Sequence, residues 1–354
     1  MAKNTLLSVL LCWLIAGSLQ AQHVLLSSLD SLLVSIRAGK LNSAYVSLEN
    51  GELSQEVFKD DQAVVNLKLK VINTYPLGNG QFWVELSCTD SSGALKNILS
   101  FVGRAGDAHI TFAIPLAYLT RDWQTEKIGR VTYHFVSGLD RAVARGFDGK
   151  NETIAKKLGL VPENFDFYLT DNYQQVLALL GTNYDAGSTG RVREGGGPSF
   201  GTIFAVMHNA DFSHDLTHYY VAKIRTGVRN PIPEEGLAYY WGNAYYTNAD
   251  GQMIDYPDQL RALKEYIQQY PDSSLLSVFE HNDKIFPQFG PEVSGRSVIS
   301  ALLCAHIEAT RGVEGIKELM NCGKGEDNYF IALGKLTGIG KGNFEDKVRG
   351  LLGQ

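Results

Sequence analysis

Cysteine is scarce in this sequence, with four residues in a chain of 354. Three of them, Cys88, Cys304 and Cys322, lie beyond the N-terminal segment. An odd and sparse set of this kind does not make a disulfide framework, so an apolar core must hold the fold together. Cys304 lies within an apolar helical pattern and is expected to be a small core residue. A Cys304–Cys322 bridge is the alternative that the sequence leaves open.

An excess of positive charge is also missing. The formal net charge is -6 and the isoelectric point is about 5.8. These values exclude nucleic acid and an anionic membrane surface as expected partners. Beyond the N-terminus, no apolar run reaches the roughly twenty residues that a membrane-spanning helix needs.

The N-terminus carries an apolar run that is short for a membrane span. Lys3 precedes a stretch of about a dozen residues from Leu6 to Ala16, and the small residue Ala21 offers a cleavage site. This pattern predicts a secretory signal peptide over residues 1–21, with a membrane anchor as the weaker alternative. We therefore expect an exported protein, periplasmic or extracellular, that has no membrane span once the signal is removed.

Residues 22–126 show one helical pattern followed by several strand-like runs that turn residues separate. They predict a small α+β accessory domain, in which a helix packs on an antiparallel sheet. No spaced set of catalytic residue types occurs there. The predicted elements are a helix over Leu25–Leu41 and strands over Ala63–Val71, Gln81–Leu86, Leu95–Val102 and His109–Ile114.

Residues 127–354 alternate strands and helices first and are helical afterwards. Residues 127–250 are expected to form a sheet together with two helices that bind a metal, and residues 251–354 a helical lobe. In that lobe, Gly312 is expected to separate a helix over Arg296–Arg311 from another that ends near Met320. The first part is predicted to contain strands at Arg130–Val136, Phe165–Thr170 and Thr202–Met207, helices at Asn151–Leu158 and Tyr173–Leu180, and a glycine-rich loop at Gly187–Gly201.

Two short motifs have the spacing of a metal site. His214 and His218 occur in HDLTH, and Glu234 and Glu235 occur in EEGLAYY. Residues four apart lie on one face of a helix, so both imidazoles can reach a single ion. A hairpin of two helices can bring the carboxylate of Glu235 to the same point. The alternative is a helix that carries two ordinary histidines and no metal.

These motifs resemble those of the gluzincin zinc metallopeptidases, the clan of thermolysin and aminopeptidase N, and most closely their peptidase-MA-like members. The resemblance implies a thermolysin-like domain with a helical C-terminal lobe over residues 127–354. It also implies that His214, His218 and Glu235 bind Zn²⁺, and that a zinc-activated water hydrolyses a peptide or protein substrate. Asp215 occupies the position of the general base.

Asp215 departs from the family, which has glutamate at this position. The side chain is one methylene shorter, and a misplacement of about 1 Å can cost on the order of a hundredfold in rate. The sequence therefore leaves two functions open. The first is an active zinc metallopeptidase, and the second is a catalytically weak or inactive zinc-binding or protein-binding module.

Residues near the ligands supply candidates for supporting roles. Tyr239 lies one turn after Glu235 and is a candidate hydrogen-bond donor to the transition state, as are Tyr240, Tyr245 and Tyr246. Glu234 is a candidate acceptor for the outer nitrogen of an imidazole. The sequence does not indicate substrate specificity or oligomeric state.

Overall fold

The structure is a computed structural model that describes residues 22–59, 61–188, 201–244, 253–290 and 293–353. The predicted signal peptide, Tyr245, Tyr246 and most of the glycine-rich loop lie outside the described residues. Within the described parts of the chain, no helix is both long and apolar enough to cross a membrane.

Helices make up 52% of the described residues and β-strands 19%, which confirms the coarse fold class. The helices are α1 (residues 22–37), α2 (Gly51–Lys59), α3 (Gln62–Asn66), α4 (Leu116–Leu119), α5 (Arg141–Leu158), α6 (Tyr173–Leu179), α7 (Ser213–Ile224), α8 (Pro231–Leu237), α9 (Tyr256–Gln269), α10 (Leu275–His281), α11 (Gly295–Met320), α12 (Glu326–Thr337) and α13 (Phe344–Leu352). The strands are β1 (Lys68–Gly78), β2 (Gln81–Thr89), β3 (Leu95–Ala105), β4 (Ile110–Ala113), β5 (Gln124–Ile128), β6 (Val131–Phe135), β7 (Phe165–Leu169), β8 (Thr182–Asp185) and β9 (Thr202–Ala205).

The chain divides into two compact units. The first contains the described residues up to Gln124 together with those of Thr170–Thr202, and the second contains Thr125–Leu169 and the described residues from Ile203 onward. The sequence analysis placed a single boundary after residue 126, whereas the contacts divide the chain after Gln124, after Leu169 and after Thr202. The segment Thr170–Thr202, which that analysis assigned to the second domain, belongs by its contacts to the first. The reason is that β8 pairs with β3.

The first unit is built on an antiparallel sheet. Its strands run in the order β1-β2-β3-β4, and β8 also pairs with β3. The prediction of a strand from Ala63 is wrong over its first residues, which form α3. The carboxylate of Asp61 accepts hydrogen bonds from the backbone N–H groups of Ala63 and Val64, at 2.9 and 3.1 Å, and so caps a helix there. Strand β1 begins only at Lys68.

The second unit contains a sheet in the order β5-β6-β7-β9, in which β6 and β7 are parallel. Helix α5 connects these two strands and packs against α7. It starts ten residues before the predicted Asn151, at Arg141, because the carboxylate of Asp140 accepts the N–H groups of Ala142 and Val143. Strand β9 ends the sheet order, and all four of its residues are buried.

The rest of the second unit is helical, as the sequence predicts. Helix α11 is its longest element and changes direction at Gly312, whose φ of 66° and ψ of -167° lie outside the helical region. The predicted separation of two helices at Gly312 is therefore confirmed. Cys304 lies in the core on α11, and Cys88, Cys304 and Cys322 are all free thiols, so the alternative of a Cys304–Cys322 bridge is not realised.

Gly236 lets α8 approach α11 closely. A Cβ at this position would lie 2.4 Å from the Ser300 Cβ and 2.6 Å from the Ser300 carbonyl carbon. Because backbone cannot give way as a flexible side chain does, we expect Gly236→Ala to lower the free energy of unfolding by about 1–3 kcal/mol. Thermal and urea unfolding followed by circular dichroism measure this change.

Gly146 provides the matched control for this substitution. It lies inside α5, and a Cβ there would meet nothing within 4 Å. Alanine in an open helix interior is favoured over glycine by roughly 0.5–1 kcal/mol, so Gly146→Ala should stabilise the protein or leave it unchanged. Equal unfolding curves for the two variants would contradict the close packing of α8 on α11.

Candidate metal centre

Helix α7 presents two histidines to one point. It begins at Ser213, whose N–H donates to the Asp211 carboxylate at 2.6 Å, and it continues to Ile224. His214 and His218 are one turn apart, and their ring centroids are 4.9 Å from each other. The imidazoles therefore face the same space, as the four-residue spacing predicts.

Helix α8 supplies the acidic side chain. Asn230 caps this helix by accepting the N–H of Ile232 at 3.1 Å, and Pro231 occupies its first turn. The helix therefore begins at Pro231 and continues to Leu237. Proline suits this position because its missing N–H would have no helical partner there.

The three side chains converge. His214 Nε2 and His218 Nε2 are 3.2 Å apart, His214 Nε2 is 3.4 Å from Glu235 Oε2, and His218 Nε2 is 3.4 Å from Glu235 Oε1. All the potential ligand atoms of the group lie within 4.8 Å of one another. His214, His218 and Glu235 thus form a group that could hold a metal ion.

The outer nitrogens of both imidazoles are engaged. His214 Nδ1 lies 3.0 Å from the main-chain oxygen of Asn243, and His218 Nδ1 lies 2.9 Å from Glu234 Oε1. Both partners only accept hydrogen bonds, so each Nδ1 carries the proton. Each Nε2 consequently faces Glu235, and it is the nitrogen that would bind a metal ion once it has lost any proton it carries.

Glu234 is buried beneath this group, and two arginines neutralise it. Its Oε2 accepts from Arg225 Nη1 at 2.6 Å, and its Oε1 accepts from Arg229 Nε at 2.8 Å. The side chain of Glu234 is only 4% exposed. A buried carboxylate with three hydrogen-bonded partners is fixed in place, and it fixes the ring plane of His218 in turn.

The electrostatics of the site favour a cation at its centre. Burial alone lowers the pKa of His218, but hydrogen bonds to Glu234 and Glu235 outweigh it and raise that pKa to about 9. Burial raises the pKa of Glu235, yet hydrogen bonds with His214 and His218 hold it well below its ordinary value. Glu235 therefore places a negative charge beside the point where the imidazole nitrogens meet.

Asp215 lines the same cleft as the three ligand residues. The cleft has a volume of about 430 Å³, and the described residues around it include Arg229, Tyr239 and Lys284. Asp215 is half-buried, and burial raises the pKa of its carboxyl group although His214 and His218 act in the opposite direction. The residue at the base position is thus close enough to the imidazoles to interact with them electrostatically.

The tyrosines that are candidate hydrogen-bond donors to the transition state have different surroundings. Tyr239 lies in a π-helical turn, Ala238–Gly242, and its ring packs edge-on against His214 with centroids 5.5 Å apart. Tyr240 instead packs against Tyr256, at 4.9 Å, outside the cleft. Among the described tyrosines, only Tyr239 therefore lies in the cleft.

Sequence reasoning did not find Arg225, Arg229 or Asn243. The two arginines are four residues apart, and Arg229 lies five residues before Glu234, so their proximity to the glutamate pair in the sequence is a signal that could have indicated them. Asn243 contributes through its main-chain oxygen, so its side chain carries no signal at all.

Comparison of the chain with models of known protein families, with curated proteins and with solved structures found no match.

Proposed function

We propose that this protein is an exported zinc-dependent metallopeptidase that hydrolyses peptide bonds with the help of Asp215. The observation that carries the proposal is the convergence of His214, His218 and Glu235, in which the Nδ1 of each imidazole is engaged elsewhere and each Nε2 faces the carboxylate. The gluzincin resemblance of HDLTH and EEGLAYY, and the thermolysin-like architecture that it implies, belong to the same proposal.

Zinc fits this group better than a metal that prefers oxygen ligands. Two imidazole nitrogens and one carboxylate are a common set for a catalytic zinc ion. With zinc–ligand bonds of about 2.0–2.1 Å, the ligand atoms of a tetrahedron are about 3.3–3.4 Å apart. The distance of 3.2 Å between the two Nε2 atoms is close to that value, and each Nε2 lies 3.4 Å from a different oxygen of Glu235.

The metal and the residues around it would have separate roles in peptide-bond hydrolysis. Bound zinc would supply a Lewis acid that activates water and polarises the scissile carbonyl. As the water oxygen bonds to the carbonyl carbon, Asp215 accepts its proton, and it gives that proton to the amine nitrogen as the C–N bond breaks. Glu234 keeps His218 oriented during these steps, and the exposed side of the cleft admits an extended peptide.

The proposed location follows from the N-terminal sequence. A signal peptide over residues 1–21 would direct the chain to the periplasm or the exterior, where its partners would be peptides or proteins. The absence of a membrane-spanning helix from the described residues is compatible with a protein released after cleavage.

The short side chain of Asp215 favours a second candidate function. If the carboxylate falls short of the attacking water, the protein would bind zinc and a protein partner without cleaving it. Both functions use the same three ligands, so zinc content alone does not separate them.

Hydrolysis of a mixed peptide library separates the two functions. Zinc-loaded wild type and Asp215→Glu are incubated with the library, with and without a chelator, and the products are read by mass spectrometry. A peptidase gives new termini that disappear with chelator and return with added zinc. If neither protein cleaves any peptide, the metallopeptidase proposal fails and the binding module takes its place.

A further inference from the structure

Arg229 connects the buried glutamates to the open cleft. Its Nε donates to Glu234 Oε1 at 2.8 Å, and its Nη2 lies 3.3 Å from Glu235 Oε1. The residue lines the cleft, and its side chain is 47% exposed. The guanidinium is therefore held next to a ligand residue while part of it faces the space that a substrate would occupy.

Most of the hydrogen-bonding capacity of Arg229 is unused. A guanidinium has five N–H groups in a fixed plane. Within the described residues, Arg229 contacts Glu234 and Glu235, the latter at 3.3 Å, and its charge also acts on the carboxylate of Asp215. The N–H groups that do not contact these glutamates are available to an oxygen atom in the cleft while the short bond from Nε to Glu234 stays in place.

We propose that Arg229 donates hydrogen bonds to the substrate carbonyl oxygen as negative charge develops on it during hydrolysis. This inference rests on the proposed peptidase function. A donor that is already oriented costs no rearrangement when the charge appears, and removal of such a donor typically costs about 10²–10³ in rate. Tyr239, the donor that the sequence nominated, is 3% exposed and packs edge-on against His214.

Arg225 is a matched control within the same cluster. Its Nη1 donates to the other oxygen of Glu234 at 2.6 Å. Its side chain is 21% exposed, and the residue is not part of the cleft lining. If Arg229 acted only by holding Glu234, replacing either arginine with glutamine should have the same effect.

The test measures the binding of a tetrahedral oxyanion at saturating zinc, so that a change in zinc affinity does not enter the result. Zinc-saturated wild type, Arg229→Gln, Arg229→Lys and Arg225→Gln are titrated calorimetrically with an N-acetylated phosphinic Ala–Ala pseudopeptide. We expect Arg229→Gln to bind the phosphinate about 10²–10³-fold more weakly, whereas Arg225→Gln, which loses only a contact to Glu234, should lose at least about tenfold less affinity than Arg229→Gln. The phosphinate affinity of Arg229→Lys should lie between those of the two glutamine variants, because lysine keeps the positive charge but lacks the planar guanidinium.

The kinetic result should follow the same order, with kcat rather than KM reduced at saturating zinc. Equal losses of phosphinate affinity in Arg229→Gln and Arg225→Gln would overturn the inference and leave the peptidase proposal intact. A zinc-loaded wild type that binds no phosphinate and cleaves no peptide would instead refute the peptidase proposal, and the inference with it.

Discussion

His218→Ala is expected to weaken zinc binding by more than about a hundredfold, beyond the 10–100-fold that loss of a ligand's hydrogen-bond partner costs. The variant keeps only His214 and Glu235 as ligands, and it also leaves the buried carboxylate of Glu234 without its imidazole partner. Competition with a chromophoric chelator gives the dissociation constant. Zinc should also raise the melting temperature of wild type and not that of the variant.

His134→Ala is the matched control for this experiment. His134 also pairs with a carboxylate, that of Asp166 at 2.8 Å, and it stacks on Tyr168. Neither His134 nor Asp166 belongs to the metal-competent group found among the described residues. Replacing His134 with alanine should leave the zinc affinity of the protein unchanged. If His218→Ala retained the affinity of wild type, the convergence of the three side chains would have no metal-binding role.

Asp215→Asn is expected to reduce kcat by about 10²–10⁴, the usual contribution of a general base, while zinc affinity stays near that of wild type. Asparagine has almost the same shape as aspartate but cannot accept the proton of the attacking water. Initial rates on the best library peptide, measured at saturating zinc, give the ratio.

The Asp215 variants also discriminate between roles for this residue. Full activity of Asp215→Asn would place the base elsewhere in the cleft. A loss of zinc together with activity would mean that Asp215 supports the metal rather than the proton transfer. Asp215→Glu restores the longer side chain of the gluzincin motif and serves as the conservative partner in the same assay.

The sequence predicts local geometry well in this protein. The spacing of His214 and His218 is sufficient to place both rings on one face of α7, because the helix repeat fixes their relation. The change of direction at Gly312 follows from a residue that tolerates a non-helical backbone. These features depend on neighbours within a few turns, which a single sequence contains.

Features that depend on distant contacts are not predictable in the same way. The pairing of β8 with β3 joins segments about eighty residues apart and moves Thr170–Thr202 into the first unit. The main-chain contact from Asn243 to His214 has no residue signature, because any amino acid offers a carbonyl oxygen. The cap from Asp61 was missed since the apolar residues after it also suit a strand.

The orientations of the two imidazoles depend on different kinds of contact, one to a side chain and one to the main chain. The orientation of His218 depends on the carboxylate of Glu234, so single substitutions at Glu234, Arg225 or Arg229 can tune it in small steps. The orientation of His214 depends on the path of the backbone at Asn243, directly after Gly242, where a Cβ would lie 2.6 Å from the Ser213 oxygen. Laboratory evolution of metal affinity should therefore accumulate changes around His218 and leave the surroundings of His214 almost untouched.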